Sequence, residues 1–142
     1  MSMSRNRNLA VLTWMRIVRV AQKVSHAGAE HITRYGLSGA LFDALAQIAG
    51  DEGITQQEVA DQLLVTKGNV SQLLTKLEQQ GLIEKRQQGH ANHLYVTSKG
   101  QALLDEITPN HDDFITERMS QLSDEELRQL NDLLRKLDKR LG

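Results

Sequence analysis

The spacing of apolar positions changes along the chain, and each change marks an element. From Asn8 to about Tyr35, the residues Leu9, Val11, Leu12, Trp14, Met15, Ile17, Val18, Val20, Ala21 and Val24 leave a narrow polar stripe through Thr13, Arg16, Arg19 and Lys23. A helix this apolar on most sides is expected to be buried by more than one neighbour. Gly36 and Ser38 stop it and start a second helix, Gly39 to about Ala49, with Leu41, Leu45 and Ile48 on one face and Phe42 beside them. After the turn Gly50-Asp-Glu-Gly53, the run Thr55-Gln-Gln-Glu58 has the form of a capping box. In such a box a Thr hydroxyl accepts from the third backbone N–H while the Glu reaches back. Val59, Ala60 and Leu63 follow on one face, and Thr66-Lys-Gly-Asn69 opens a longer helix whose apolar side is Val70, Leu73, Leu74 and Leu77.

Beyond Gly81, a helix-ending residue suited to the left-handed conformation, the period switches from helical to alternating. Leu82 to Arg86 and Leu94 to Thr97 read as two strands, with Gln87 to His93 as their connection and Gly89 in its tip. A hairpin with so few apolar residues is marginal alone, so it must lean on the preceding helices as a wing. Thr97 then caps a helix carrying Leu103, Leu104 and Ile107. Pro109, the only proline, is expected to kink that helix or break it, and the phase of Phe114 and Ile115 favours a kinked continuation. Ser123-Asp-Glu-Glu126 starts the last helix, where Leu127, Leu130, Leu134, Leu137 and Leu141 form an a/d stripe.

These elements predict a mainly α fold in the order α-α-α-α-β-β-α-α, a winged helix-turn-helix. Residues 37–100 form the DNA-binding lobe, and residues 1–36 and 101–142 supply dimerisation helices within a single domain, 1–142. The polar side of the second helix of the motif holds Lys67, Gly68, Asn69, Ser71, Gln72, Thr75 and Lys76, with no acid among them. A hydrogen-bonding face without carboxylates at the front of such a helix is what reading base edges in a major groove requires. Asn69 and Gln72 have the amide geometry for bidentate contact with adenine. Gly68 lets the backbone approach closely, and Lys67, Lys76, Lys85 and Arg86 are placed to hold phosphates, with Thr66 at the start of the face.

Charge supports this only when divided. The total is −1, but residues 66–100 carry +3 and residues 1–30 carry +4, while 31–65 and 101–142 carry −4 each. The base-reading helix and wing are locally basic in an otherwise acidic chain. One hundred and forty-two residues suit one domain. There is no cysteine, which excludes disulfides and thiolate metal sites and fits a cytoplasmic setting. No run is apolar enough to span a membrane and no signal peptide is visible.

His26 and Glu30 share a helix spacing, with His31 nearby and His111, Asp112 and Asp113 distant in sequence. They lack the matched spacing of a zinc site, so no metal and no cofactor is expected. Nor is there a phosphate loop, a Cys nucleophile or a Ser/His/Asp pattern, so the chain does not read as an enzyme. The alternative from another class is a winged helix used only as a protein-interaction module. The apolar first helix and leucine-striped last helix exceed what one small core needs, which points to a homodimer. Its two recognition helices would sit about 34 Å apart on a pseudo-palindromic operator in double-stranded DNA.

The stretches Leu37 to Ala46, Ile54 to Leu63, Val65 to Leu74, Leu77 to Arg86 and Val96 to Gly100, in this order and spacing, resemble the MarR family of multiple antibiotic resistance regulators across essentially the whole chain. The resemblance implies a triangular dimer acting as a transcription regulator, with a repressor the foremost reading. It also implies a pocket for a small aromatic or phenolic effector between the dimer helices and the DNA-reading lobe. Trp14, Met15, His26, Tyr35, Phe42 and Phe114 fall on the helices that line the family's pocket. The family's wing carries an Asp two residues before an Arg that enters the minor groove. Counting back from Thr97, those places hold Gln88 and His90 in this chain, and the wing is a few residues shorter.

Overall fold

The computed structural model describes residues 8–63 and 67–142, with the backbone alone at 67 and 68. Among the described residues, six helices and a hairpin follow in the order α1 (Leu9–Thr33), α2 (Gly39–Gly50), α3 (Gln56–Leu63), α4 (Lys67–Gln79), β1 (Ile83–Gln88), β2 (Ala91–Val96), α5 (Ser98–Met119) and α6 (Asp124–Leu141). The starts are set by side-chain caps. Asn8, Ser38, Thr97 and Ser123 accept from the backbone N–H groups of Val11, Leu41, Gly100 and Glu126. At Ser123 both halves of the box form, and Glu126, bonded to the Ser123 backbone N–H and hydroxyl, is held below the ordinary glutamate range. Thr55 and Glu58 make the same reciprocal contact at α3, with Glu58 N–H donating to Thr55 Oγ1 over 3.2 Å and Thr55 N–H to Glu58 Oε1 over 3.4 Å.

The core gathers the inward faces of α2, α3, α4 and the hairpin with the nearer ends of α1 and α5. Leu37, Leu45, Ile48, Ile54, Val59, Val70, Leu74, Leu77, Leu82, Leu94 and Ile107 are fully buried in it. β1 and β2 pair antiparallel from Ile83↔Val96 to Gln88↔Ala91. The turn after α2 pairs with the other edge of β2, through Gly53 N–H to the Leu94 carbonyl and Leu94 N–H to the Ile54 carbonyl, each 2.9 Å.

Two expectations need correction, and the choice left open at Pro109 is decided. The strands do not stop at Arg86 and resume at Leu94: pairing continues to Gln88 and Ala91, so the tip is the two-residue turn Gly89-His90, with Gly89 at φ +64°. Polar residues beyond Arg86 hid the strand because both of its faces are solvated at that end. Pro109 does not break α5, which runs as one helix from Ser98 to Met119, the continuation that the phase of Phe114 and Ile115 favours. Most of α1 is not buried by its own chain, since only Gly28 and Ile32 are buried while Leu9, Leu12, Trp14, Met15 and Val20 are exposed. In α6 no residue is buried, and Leu130, Leu134, Leu137 and Leu141 all face solvent in the single chain.

Candidate nucleic-acid interface

The sequence places α3 and α4 as a helix pair because each has one apolar side to bury. Val59 and Ala60 of α3 and Val70, Leu74 and Leu77 of α4 enter the core, with Leu63 and Leu73 partly buried at the margin. Burying Val70, Leu74 and Leu77 fixes the rotation of α4, so Asn69, Ser71, Gln72, Thr75 and Lys76 lie exposed on the opposite side. Thr75 donates its hydroxyl proton to the Ser71 carbonyl over 2.8 Å, which leaves its oxygen free to accept from a base or phosphate. Thr66 and the side chain of Lys67 lie outside the described residues, and of Gly68 only its place in the helix is described. Among the described residues of this face there is no carboxylate until Glu78, near the far end of the helix.

The hairpin's two basic side chains are both engaged with acids. Lys85 lies on the core-side face of β1, with its ammonium 3.9 Å from Glu78 of α4. Arg86 lies on the outer face, where Glu84 accepts from its Nε over 3.0 Å and its guanidinium sits 4.2 Å from the centre of the Tyr95 ring. The hydrogen bond and the charge of Glu84 hold the Arg86 proton still more firmly than usual, so this group is a cation at every accessible pH. Sequence reasoning named Lys85 and Arg86 but missed Glu78, Glu84 and Tyr95. The i, i+2 spacing of Glu84 and Arg86 on a strand was the available signal. At the tip, His90 is exposed. His93 lies deeper, with Nδ1 2.7 Å from the Gly53 carbonyl, where it pins the hairpin to the α2–α3 turn.

The six residues named for an effector pocket do not come together within one chain. Trp14, Met15 and His26 are exposed along α1. Phe42, Phe114 and Tyr35 lie instead about the junction of α1, α2 and α5. There the Phe42 ring meets His111 edge-on at 4.9 Å between centroids, and Gly28 leaves room for Phe114 and His111, both within 4 Å of where a Cβ would stand. His31 meets Tyr35 edge-on at 6.2 Å. Two buried nitrogens, His31 Nε2 and His111 Nδ1, have no hydrogen-bond partner among the described residues. Burial pushes the Asp43 carboxyl above the ordinary aspartate range, partly offset by the charge of His111. No group of three or more metal-ligating side chains assembles among the described residues.

A two-helix reading unit, a hairpin wing and long flanking helices are the parts of a winged helix-turn-helix regulator. The MarR family matches residues 35–91. An HTH-type transcriptional regulator of Bacillus cereus is 31% identical over 136 residues, covering 95% of this chain and 92% of the relative. The chain therefore belongs to the MarR family of transcriptional regulators. Among solved structures, MepR of Staphylococcus aureus in complex with DNA superposes with a TM-score of 0.75 at 22% identity, covering 96% of this chain and all of that one. The organohalide-sensing regulator RdhR-CbdbA1625 bound to 2,4-dichlorophenol superposes with a TM-score of 0.80 at 19% identity, covering 99% of this chain and 85% of that one. At these identities the superpositions speak for the fold. No described helix is long and apolar enough to cross a membrane.

Proposed function

We propose that this regulator is a homodimeric repressor that binds a pseudo-palindromic operator through α4 and is released by a small aromatic acid or phenol. The observation that carries the DNA reading is the exposed face Asn69, Ser71, Gln72, Thr75 and Lys76, fully hydrogen-bonding and free of carboxylates. A helix that only docks on protein has no need to exclude acids, whereas a helix facing phosphates must. Support for the dimer comes from the apolar groove of about 820 Å³ between α1 and α6, lined by Leu9, Leu12, Ile17, Val20, Leu130 and Leu134. Large apolar side chains left exposed on two neighbouring helices, Leu9, Leu12 and Val20 with Leu130 and Leu134, fit an interface.

Support for the effector comes from His31 and His111. Each presents a buried nitrogen without a hydrogen-bond partner among the described residues, at the place where α1 and α5 meet the reading lobe. An acidic or phenolic oxygen on an aromatic ring would satisfy such a nitrogen and stack against Phe42 or Phe114.

The test is a mobility-shift titration with DNA from beside the regulator's own gene, at 50 and 200 mM salt, with and without a panel of aromatic acids and phenols. Two subunits neutralising about 6–10 phosphates should lose about 10³-fold or more in affinity across that range. A flat salt response would return the chain to the protein-docking reading, and a panel in which no compound weakens the complex would remove the effector.

A further inference from the structure

The far end of α4 is finished by groups from α5. Leu82 N–H donates to the Leu77 carbonyl and Gly81 N–H to the Glu78 carbonyl, each over 2.9 Å, with Gly81 at φ +74°. This is the Schellman ending of a helix, and it leaves the next carbonyls directed past the helix end. Three in a row go to the start of α5. The Leu82 carbonyl accepts from Thr97 N–H, the Gly81 carbonyl from the Thr97 hydroxyl, and the Gln80 carbonyl from the Lys99 ammonium over 2.8 Å. We propose that Lys99 is a positioning residue for DNA recognition, fixing the tilt of α4 against α5 and so setting the half-site spacing that the dimer accepts. The inference rests on the DNA-binding and dimer readings above.

Thr97 and Lys99 act at different distances from the joint. Thr97 is the one residue between β2 and α5, and Gly100 passes close beside the Leu82 carbonyl, so both lie at the pivot. Lys99 reaches further. Its stem crosses Gly81, where a Cβ would stand 3.8 Å from Lys99 Cδ, and its ammonium meets the end of α4. Leu104 and Ile107 seat α5 in the core along another face. Toward the end of α4 there is instead an open cleft of about 420 Å³, bordered by Gln80 and Leu82 on one side and by Lys99 and Leu103 on the other. The tilt is held there by a charged hydrogen bond to the negative end of the helix dipole, not by packed side chains. Lys85, a second cation at this helix end, lies 3.9 Å from Glu78 but belongs to the wing, so it moves with the reading lobe.

The geometry amplifies a small change. α4 has thirteen residues and is about 20 Å long. A tilt of about ten degrees at its C-terminal end swings its first turn by about 3.5 Å, close to one base-pair step. α5 continues unbroken from Ser98 to Met119 and leads into α6, whose leucines border the groove assigned to the dimer. Each recognition helix is thus anchored to the dimer seam through α5, and the distance between the two follows the angle that Lys99 holds. Asn69 and Gln72 lie toward the other end of α4, so a single half-site is read as well without Lys99 as with it.

The experiment selects duplexes from random sequence with the full chain and measures affinity by fluorescence anisotropy. The duplexes are the selected one, versions with the spacer one or two base pairs shorter or longer, and a single half-site. Wild type is compared with Lys99→Met, with Lys99→Gln, which is one atom shorter and uncharged, and with Lys99→Arg. Lys99 is exposed, so Tm should fall by no more than about 4 °C in any of them. Wild type should lose at least about tenfold in affinity when the spacing is one base pair off. Lys99→Met and Lys99→Gln should cut that loss to about threefold or less while keeping single half-site affinity within about twofold. Lys99→Arg, which keeps the charge and the donor, should restore the sharp profile. A wild type indifferent to spacing, or an equally sharp profile without the ammonium, would overturn the proposal. So would a uniform loss on every duplex with a shallower salt dependence, which is the mark of a phosphate contact. Selection of no duplex would instead overturn the DNA-binding reading, and selection of lone half-sites by a chain that light scattering finds monomeric would overturn the dimer.

Discussion

At the scale of single residues, the exposed side of α4 divides into groups that read and groups that hold. Gln72 ends in an amide that matches adenine at two points, so its contribution depends on the base opposite. Lys76 ends in a point charge that is indifferent to sequence. Gln72→Ala is expected to lower affinity for the preferred site by about 1–3 kcal/mol with little effect on random DNA, whereas Lys76→Ala should weaken both alike. Parallel titrations on the two kinds of duplex measure this, and equal losses from both variants on both duplexes would remove Gln72 from the base edges. Arg86 stands apart from Lys76, because Glu84 and Tyr95 already hold it. The Glu84 carboxylate beside it offsets part of its charge, so its share of the electrostatics is smaller than its sequence position suggests.

At the scale of elements, the joint between the wing and α5 is held by three hydrogen bonds of Thr97 and a close approach at Gly100. Thr97 donates its N–H to the Leu82 carbonyl over 3.0 Å and its hydroxyl to the Gly81 carbonyl over 2.6 Å. Its oxygen then accepts from Gly100 N–H at 3.1 Å. Gly100 passes so close beneath β1 that a Cβ there would stand 2.2 Å from the Leu82 oxygen and 2.8 Å from Val96 Cγ1. Backbone cannot yield as a side-chain tip can, so Gly100→Ala should destabilise by about 1–3 kcal/mol or more, about 2–4 °C in Tm per kcal/mol for a chain of this size. Gly39→Ala, in a helical position with nothing within 4 Å of its Cβ, should be neutral or slightly stabilising. Melting both variants at one protein concentration tests the contrast. Thr97 was legible in the sequence as a cap, and so were Ser123, Gly81 and the apolar phases of α2 to α4, because each signal is local. The need for Gly100 was not, since it arises from a chain segment eighteen residues earlier. The far ends of the strands escaped for a related reason: Gln87, Gln88, Ala91 and Asn92 pair through backbone alone, which leaves no hydrophobic period to read.

At the scale of the whole molecule, what the single chain leaves uncovered is as ordered as what it buries. The core is complete without α6, which contributes no buried residue. Yet α6 carries a leucine stripe along its length, and it borders a groove whose other wall is the apolar length of α1. Sequence periodicity located both surfaces; it could not say that the same chain fails to cover them, because a stripe looks alike whether its partner is internal or a second copy. If two copies close this groove, Leu130 and Leu137, 36% and 46% exposed in the single chain, become buried in the pair. Leu130→Asp with Leu137→Asp then places unpaired carboxylates in an apolar seam, a cost that association cannot absorb. The reading lobe should survive, since none of its core contacts involve α6. Light scattering should report a monomer, circular dichroism a largely helical chain, and operator binding should weaken on the order of 10²-fold as the second half-site ceases to be tethered to the first. A variant that stays a dimer with unchanged DNA affinity would show that the stripe on α6 faces something other than a second copy of this chain.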